Sequence, residues 1–275
     1  MNDAECIAFL QWALPRLERR WTGYRKVRGL VCKRLGTRLH ALGLHDLGAY
    51  RARLEACPEE WAELDALLGI PISRFYRDRG VFDLLQSQVL PALAHAAIAH
   101  ARTALHCWSA GCASGEEPYT LAMLWQLRLQ PIFPALRMHV VATDVDPTLL
   151  ERARAGCYRL SSLKELPRDL LAQAFEPRAD AVCVRAPFHT VQFVQQDLRA
   201  VMPQGPFDVV LCRNVILTYF AAPVQRQVVQ RVASRLRIGG ALVIGIHESL
   251  PDGVAGLAPW SSAGRVYRRI AAEDE

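Results

Sequence analysis

The 275-residue chain has eight cysteines but no C-x-x-C pair, no apolar run of membrane-span length and no cationic leader at its start. Each absence excludes something. Zinc ribbons and dithiol redox sites need closely spaced cysteines. Cys6, Cys32, Cys57, Cys107, Cys112, Cys157, Cys183 and Cys212 are scattered, several of them inside apolar runs where a thiol serves as a small hydrophobe. Neither a disulfide framework nor a metal site is expected. A bilayer span takes about 18–20 apolar residues, and a start carrying Asp3 and Glu5 does not read as a signal peptide. The expectation is a reduced, cytoplasmic monomer without membrane insertion. No internal repeat or low-complexity segment is present. Apolar residues make up 51% and charged residues 22% of the chain, an ordinary globular balance. The length suits one main domain with a smaller companion.

Acid is scarce in one place. Between Arg16 and Arg53 eleven basic residues face only Glu18 and Asp46, so this segment carries +9 of a chain whose net charge is +6. Such a run is either a solvated helical face or a dock for something acidic, nucleic acid or protein. It lacks the aromatics that a single-strand binder interleaves with its cations.

Residues 1–68 show helical spacing, as in Leu30, Val31, Leu35, Leu39 and Leu42, and form a helical N-terminal domain. The stretch "GIPISRFYRDRG" breaks that spacing. Residues 69–90 are read as a linker and connecting helix, the helix ending near Pro91. Residues 91–275 alternate apolar strands with helices: "LHCWSAG", "MHVVATD", "VQFVQQD", "FDVVLCRN" and "ALVIGIH" are the strands. A helix over 223–237, closed by Gly239 and Gly240, lies before the last. That rhythm predicts an α/β fold with a parallel sheet covered on both faces, a Rossmann-like class. Residues 157–190 interrupt it as a small inserted β-subdomain.

In such a sheet the ligand sits at the carboxyl ends of the strands. The first strand runs into "GCASGEEPY", a glycine turn followed by Glu116 and Glu117. A dinucleotide would set its pyrophosphate on the next helix N-terminus, against two carboxylates, at a cost of several kcal/mol at short range. S-adenosylmethionine carries a positive sulfonium and a positive ammonium and suits an acidic turn. Asp144 ends the second strand where ribose hydroxyls would lie. Asp197 ends the third within reach of an adenine amino group. Each acid alone is equally a helix-dipole or capping residue; three at successive strand ends make one adenosyl-sulfonium pocket.

The sequence here resembles the CheR-type methyltransferases that esterify glutamates on bacterial chemotaxis receptors. "WSAGCASGEEPYTLAM", "ATDVDPTLLERARAGCYRLSSLKELP", "FDVVLCRNV" and "LRIGGALVIGIHESL" look like that family's successive motifs. "ISRFYRD" looks like its Thr-x-Phe-Phe-Arg-Asp stretch, with Ser73 in the threonine place. The resemblance implies a class I S-adenosylmethionine-dependent methyltransferase domain with a helical N-terminal domain and an inserted β-subdomain. It also implies a cofactor site of Ser73, Arg77, Glu116, Asp144, Asp197, Leu198, Arg213 and Asn214, and it favours an acidic protein partner, the chemoreceptor methylation helices, for the basic segment over nucleic acid. Two departures stand out. Asp197–Leu198 replaces the family's Asn-Leu, and Tyr219–Phe220 follows Asn214 one residue later than usual. Tyr219 is the candidate for guiding the acceptor, with an equal claim to a place in the core.

Overall fold

The computed structural model of the chain describes residues 2–261 and 265–271. Its contacts divide into two compact units. One takes the residues up to Ile70 together with Val215–Gln225; the other takes Pro71–Asn214 and the residues from Arg226 onward.

The first unit is helical. Asp3–Ala13 starts on a capping box in which the Asn2 side chain accepts from Glu5 N and Glu5 returns the bond. Asp46 caps Leu47–Ala56 by accepting from Ala49 N. Helices Arg28–Ala41 and Glu60–Leu67 complete the set, and Leu10, Leu14, Tyr24, Val31, Leu35, Tyr50, Leu54 and Leu64 are its closed core. Leu30, counted in the apolar stripe from spacing alone, turns outward. Residues 215–225 join this core through backbone bonds from Arg20 N to Tyr219 O and from Ala221 N to Glu18 O. The approach is close enough to require glycine at position 23, where a Cβ would stand 2.2 Å from Thr218 O.

Much of the basic segment is engaged inside this unit. Arg19 pairs with Asp65, Arg28 with Asp3, Arg51 with Glu55, and Arg53 and Arg38 both with Glu60. Arg20 and Arg34 donate to backbone carbonyls. Glu60 is 3% exposed and also accepts the Tyr50 hydroxyl at 2.9 Å.

The second unit is built on a seven-stranded sheet. In chain order its strands are β1 (Ala104–Ala110), β2 (Arg137–Asp144), β6 (Val191–Gln195), β7 (Phe207–Leu211), β8 (Leu236–Val243), β9 (Leu257–Pro259) and β10 (Val266–Arg269). The numbers between belong to a three-stranded antiparallel sheet of β3 (Cys157–Tyr158), β4 (Phe175–Arg178) and β5 (Ala181–Val184), ordered β3-β5-β4. The large sheet runs β6-β2-β1-β7-β8-β10-β9, parallel except for β10 against its neighbours. The chain builds outward from β1 on one side through β2 to β6, then crosses to β7 on the other. This places the switch point between β1 and β7.

Three expectations need correction. The helix before β1 does not stop near Pro91. It passes through a π-turn, Leu85–Val89, and continues as Leu90–Ala99, because a proline lacking N–H is tolerated where the i→i−4 ladder has already been displaced. The run Arg79–Ala99 is long and apolar enough to span a membrane by length and composition, and its inward residues Phe82, Leu85, Val89 and Leu90 lie in the core. Gly239 and Gly240 do not close the helix Ala222–Arg235; they lie inside β8, where the pairing with β7 slips between Phe207 and Val209. The cysteines are not all reduced: Cys6 is joined to Cys32 and Cys157 to Cys183, each across 26 residues of chain. Neither spacing has a local signature. Cys157 and Cys183 meet only because β3 pairs with β5 in that register.

Glu60→Ala should destabilise the protein by roughly 3 kcal/mol, the lower end for an orphaned buried ion pair, since Arg38 keeps a quarter of its surface in water and Glu63 within 3.6 Å. The Arg38 hydrogen bond holds the Glu60 carboxyl below its ordinary range. Its contribution is therefore present above the unfolded-state value and is lost as pH falls through the lowered one. Thermal melts of both proteins from pH 7 downward check this, and equal melting temperatures at pH 7 would refute it.

Candidate active site

β1 ends at Ala110, and the chain turns through Gly111 and Gly115 with φ of 75° and 91°. Gly111 N and Cys112 N both donate to Thr143 O, which ties the turn to the end of β2. Gly115 is required twice, by its left-handed backbone and by crowding. A Cβ there would lie 2.9 Å from the Ala153 Cβ and 3.1 Å from the Tyr158 hydroxyl. Tyr158, on the short strand β3, donates to Ser114 O at 2.7 Å and so braces the turn from the inserted sheet.

Gly115 caps the helix Glu116–Leu124, and the two carboxylates that open it part company. Successive helical residues point about 100° apart. Glu117 accepts from the Ser109 hydroxyl at 2.7 Å and pairs with Arg213 at 3.1 Å. Glu116 is 3% exposed, and its Oε2 is buried with no hydrogen-bond partner among the described residues. Burial pushes its pKa up, against a weaker opposing pull from its own backbone N–H and from Ser73. A buried carboxylate oxygen without a donor is what a cationic ligand satisfies.

Asp144 closes β2. Its Oδ2 accepts from Ala113 N at 2.8 Å and its Oδ1 from Asp146 N at 3.0 Å, so it shapes the loops on both sides and keeps further lone pairs for hydroxyl donors. Burial raises its pKa as well. Asp197 stands two residues past the end of β6, with its carboxylate on Arg199 at 2.6 Å and Leu198 buried behind it.

Ser73 and Arg77 lie on a strap over residues 71–78 that is anchored within the second unit. Phe75 is fully buried, edge-on to Tyr158 and Phe175, and its N–H donates to Ser162 O. Tyr76 N donates to the Thr120 hydroxyl. Tyr76 and Asp78 hold positive φ, 58° and 63°, a conformation non-glycine residues adopt only under constraint. The constraint comes from Arg213, at the end of β7. Its side chain is 2% exposed; it pairs with Asp78 at 2.7 Å and with Glu117, and it donates to Arg77 O at 2.9 Å. The guanidinium read from the sequence as a cofactor contact is thus committed to three protein partners, while Arg77 itself donates to Ile72 O.

Asn214 follows with φ of 56°, its N–H donating to the carboxylate of Glu248. Glu248 is 4% exposed and also accepts from Gly245 N. Sequence reasoning missed it, although an acid just beyond the buried strand β8 repeats the pattern that singled out Asp144. Tyr158 carried no comparable signal, since its place depends on pairing with β5. Tyr219 belongs to the helical unit, with its ring 5.1 Å from that of Tyr24. Ser73, Arg77, Glu116, Asp144, Asp197, Leu198, Arg213 and Asn214 all belong to the second unit, and Tyr219 does not.

Comparison with known proteins identifies the family. Residues 72–262 match the family model described as CheR methyltransferase, SAM binding domain. A chemotaxis protein methyltransferase of Listeria monocytogenes is 35% identical over 189 residues, 68% of this chain and 69% of that protein. That of Salmonella typhimurium is 34% identical over 237 residues, covering 82% and 77% respectively. That of Escherichia coli is 34% identical over 235 residues, covering 81% and 77%.

Glu116→Gln should weaken S-adenosylmethionine binding by about 1.5–3 kcal/mol, the range for a hydrogen bond to a charged group. The ligand-free protein should be no less stable, because the substitution removes a buried charge. The raised pKa of Glu116 means that a cationic ligand, which favours the ionised form, loses affinity as pH falls toward that value. The loss should begin above the ordinary 4.5 of a glutamate and be shallower in Glu116→Gln. Calorimetric titrations across pH check both statements. Unchanged affinity with a lower melting temperature would assign Glu116 to the helix alone.

Proposed function

The chain belongs to the CheR methyltransferase family, and from that premise we propose that it esterifies the side-chain carboxylates of glutamates on a protein, foremost the cytoplasmic helices of chemoreceptors. It is a methyltransferase, and S-adenosylmethionine is its cofactor. The observation that supports the cofactor's place in this reading is Glu116, a buried carboxylate at the first turn of the sheet with one oxygen unpartnered among the described residues. The relatives supply the substrate class through their names, chemotaxis protein methyltransferases.

In this reading Glu116 takes the cationic end of the cofactor, Asp144 the ribose hydroxyls, and Asp197 with Leu198 the adenine. Ser73 and Arg77 cover it from the strap, and Asn214 lines the end of β7. Arg213 keeps the strap closed. The cofactor supplies an electrophilic methyl carbon on sulfur. A glutamate acceptor, with a reference pKa near 4.3, is already ionised at pH 7 and requires no base. The protein's task is to hold that carboxylate in line and keep water out, and orientation alone is worth on the order of 7–11 kcal/mol. Tyr219 is proposed to guide the acceptor in addition to packing on Tyr24. On the helical unit an acidic partner would meet Arg25, Lys26 and Lys33, exposed cations with no ion pair among the described residues.

Incubation with labelled S-adenosylmethionine and a receptor cytoplasmic fragment from the source organism should give base-labile methyl incorporation, as a carboxyl ester is base-labile and a methylated amine is not. Tyr219→Phe should raise KM for the fragment and leave cofactor affinity unchanged. A base-stable product would rule out the ester reading.

A further inference from the structure

The most basic segment of the chain is largely neutralised within its own unit, but a smaller cluster in the second unit is not. Arg79, Lys164 and Arg168 are exposed and make no ion pair or hydrogen bond among the described residues. All three line one cavity of about 370 Å³, with Glu165, Leu166 and Pro167 between them. The acids nearby have other partners: Glu165 is engaged by Arg74, Asp169 by Arg128, Asp78 by Arg213 and Asp83 by the Tyr76 hydroxyl. Three cations around one cavity, with the neighbouring carboxylates diverted, form a surface that selects for negative charge.

The cavity adjoins the cofactor strap. Arg79 follows Asp78 directly, and Asp78 is held by Arg213. The opposite wall, residues 164–168, is fastened to the same strap by the Arg74–Glu165 ion pair and by the bond from Phe75 N to Ser162 O. Any group seated among these cations therefore sits at a fixed offset from the residues that cover the cofactor.

We propose that this cavity is a substrate subsite that binds a side-chain carboxylate of the acidic protein substrate, one neighbouring the glutamate that is methylated. The inference rests on the proposed carboxyl-methyltransferase reading. A substrate helix rich in acids presents carboxylates three and four residues apart on one face. One enters the transfer site while a neighbour meets Arg79, Lys164 and Arg168, which sets the register of the helix. Exposed cations act mainly through encounter and alignment and are screened over about 8 Å at physiological salt. The subsite therefore governs KM for the protein substrate more than cofactor binding or the rate at saturation.

The test compares wild type with the neutral variant Arg79→Gln/Lys164→Gln/Arg168→Gln and the reversed variant in which all three become glutamate. The neutral variant should raise KM for the receptor fragment several-fold and the reversed variant about tenfold or more, at unchanged melting temperature and cofactor affinity. A second fragment, with the acids flanking the acceptor changed to glutamine, should raise KM for wild type and add little for the neutral variant, the coupling expected of groups in contact. If wild type esterifies the fragment and both variants keep its KM, the subsite is refuted while the carboxyl-methyltransferase reading stands. If wild type esterifies no receptor fragment, both fall. If the two sets of substitutions add independently, the cations act as a general field and the carboxylate subsite is refuted.

Discussion

A single buried guanidinium ties together the parts of the second unit that must be arranged for chemistry. Arg213 stands at the end of β7, and from there it reaches Asp78 and Arg77 O on the strap and Glu117 on the first turn of the helix after β1. Removing this charge from water carries a penalty of several kcal/mol, and two carboxylates and a carbonyl offset it only while all three are in place. The strap, with its two left-handed non-glycine residues, has a conformation that local sequence does not favour. The ion-pair hub holds it there, so the strap proposed to cover the cofactor is electrostatically fastened to the end of β7 and to the helix that follows β1.

The same arrangement divides labour between adjacent glutamates. Glu117 is neutralised by Arg213 and becomes structural; Glu116 receives no such partner and remains an excess negative charge in a dry place. With Asp144 nearby, also raised by burial, the site without ligand is electrostatically uncomfortable. A sulfonium ligand relieves that discomfort, and an anionic pyrophosphate would worsen it. In the proposed site, preference for this cofactor over a dinucleotide would follow from which carboxylate the arginine leaves without an ion pair among the described residues.

Charge distribution outside the site follows a related logic. The run Arg16–Arg53 looks like one basic surface, but folding turns many of its side chains toward acids and carbonyls of its own unit, and Glu60 alone collects Arg38, Arg53 and the Tyr50 hydroxyl. What remains for a partner is a few exposed cations there, and the group of Arg79, Lys164 and Arg168 beside the strap. Long-range attraction depends on net charge, but contact depends on cations that have no other partner.

The alternation of apolar strands and helices was legible from the sequence, as was the glycine turn with acid behind it and the acids near the ends of β2 and β6, because each is a local pattern with period, turn chemistry or position along a strand as its signal. Both ends of the helix Pro147–Ala155 are marked in the sequence, by proline at its first position and Gly156 after its last. Tertiary structure decided what depends on partners far apart in the chain. Arg213 meets Asp78 across 135 residues and Glu117 across 96. Cys157 meets Cys183 through strand register, Glu248 reaches Asn214 from beyond β8, and residues 215–225 return to the helical unit. Sequence alone placed carboxylates where a cation would be wanted. The family resemblance already favoured Glu116 over Glu117, but only the fold supplied a physical reason, because it depends on where an arginine nearly a hundred residues away comes to rest.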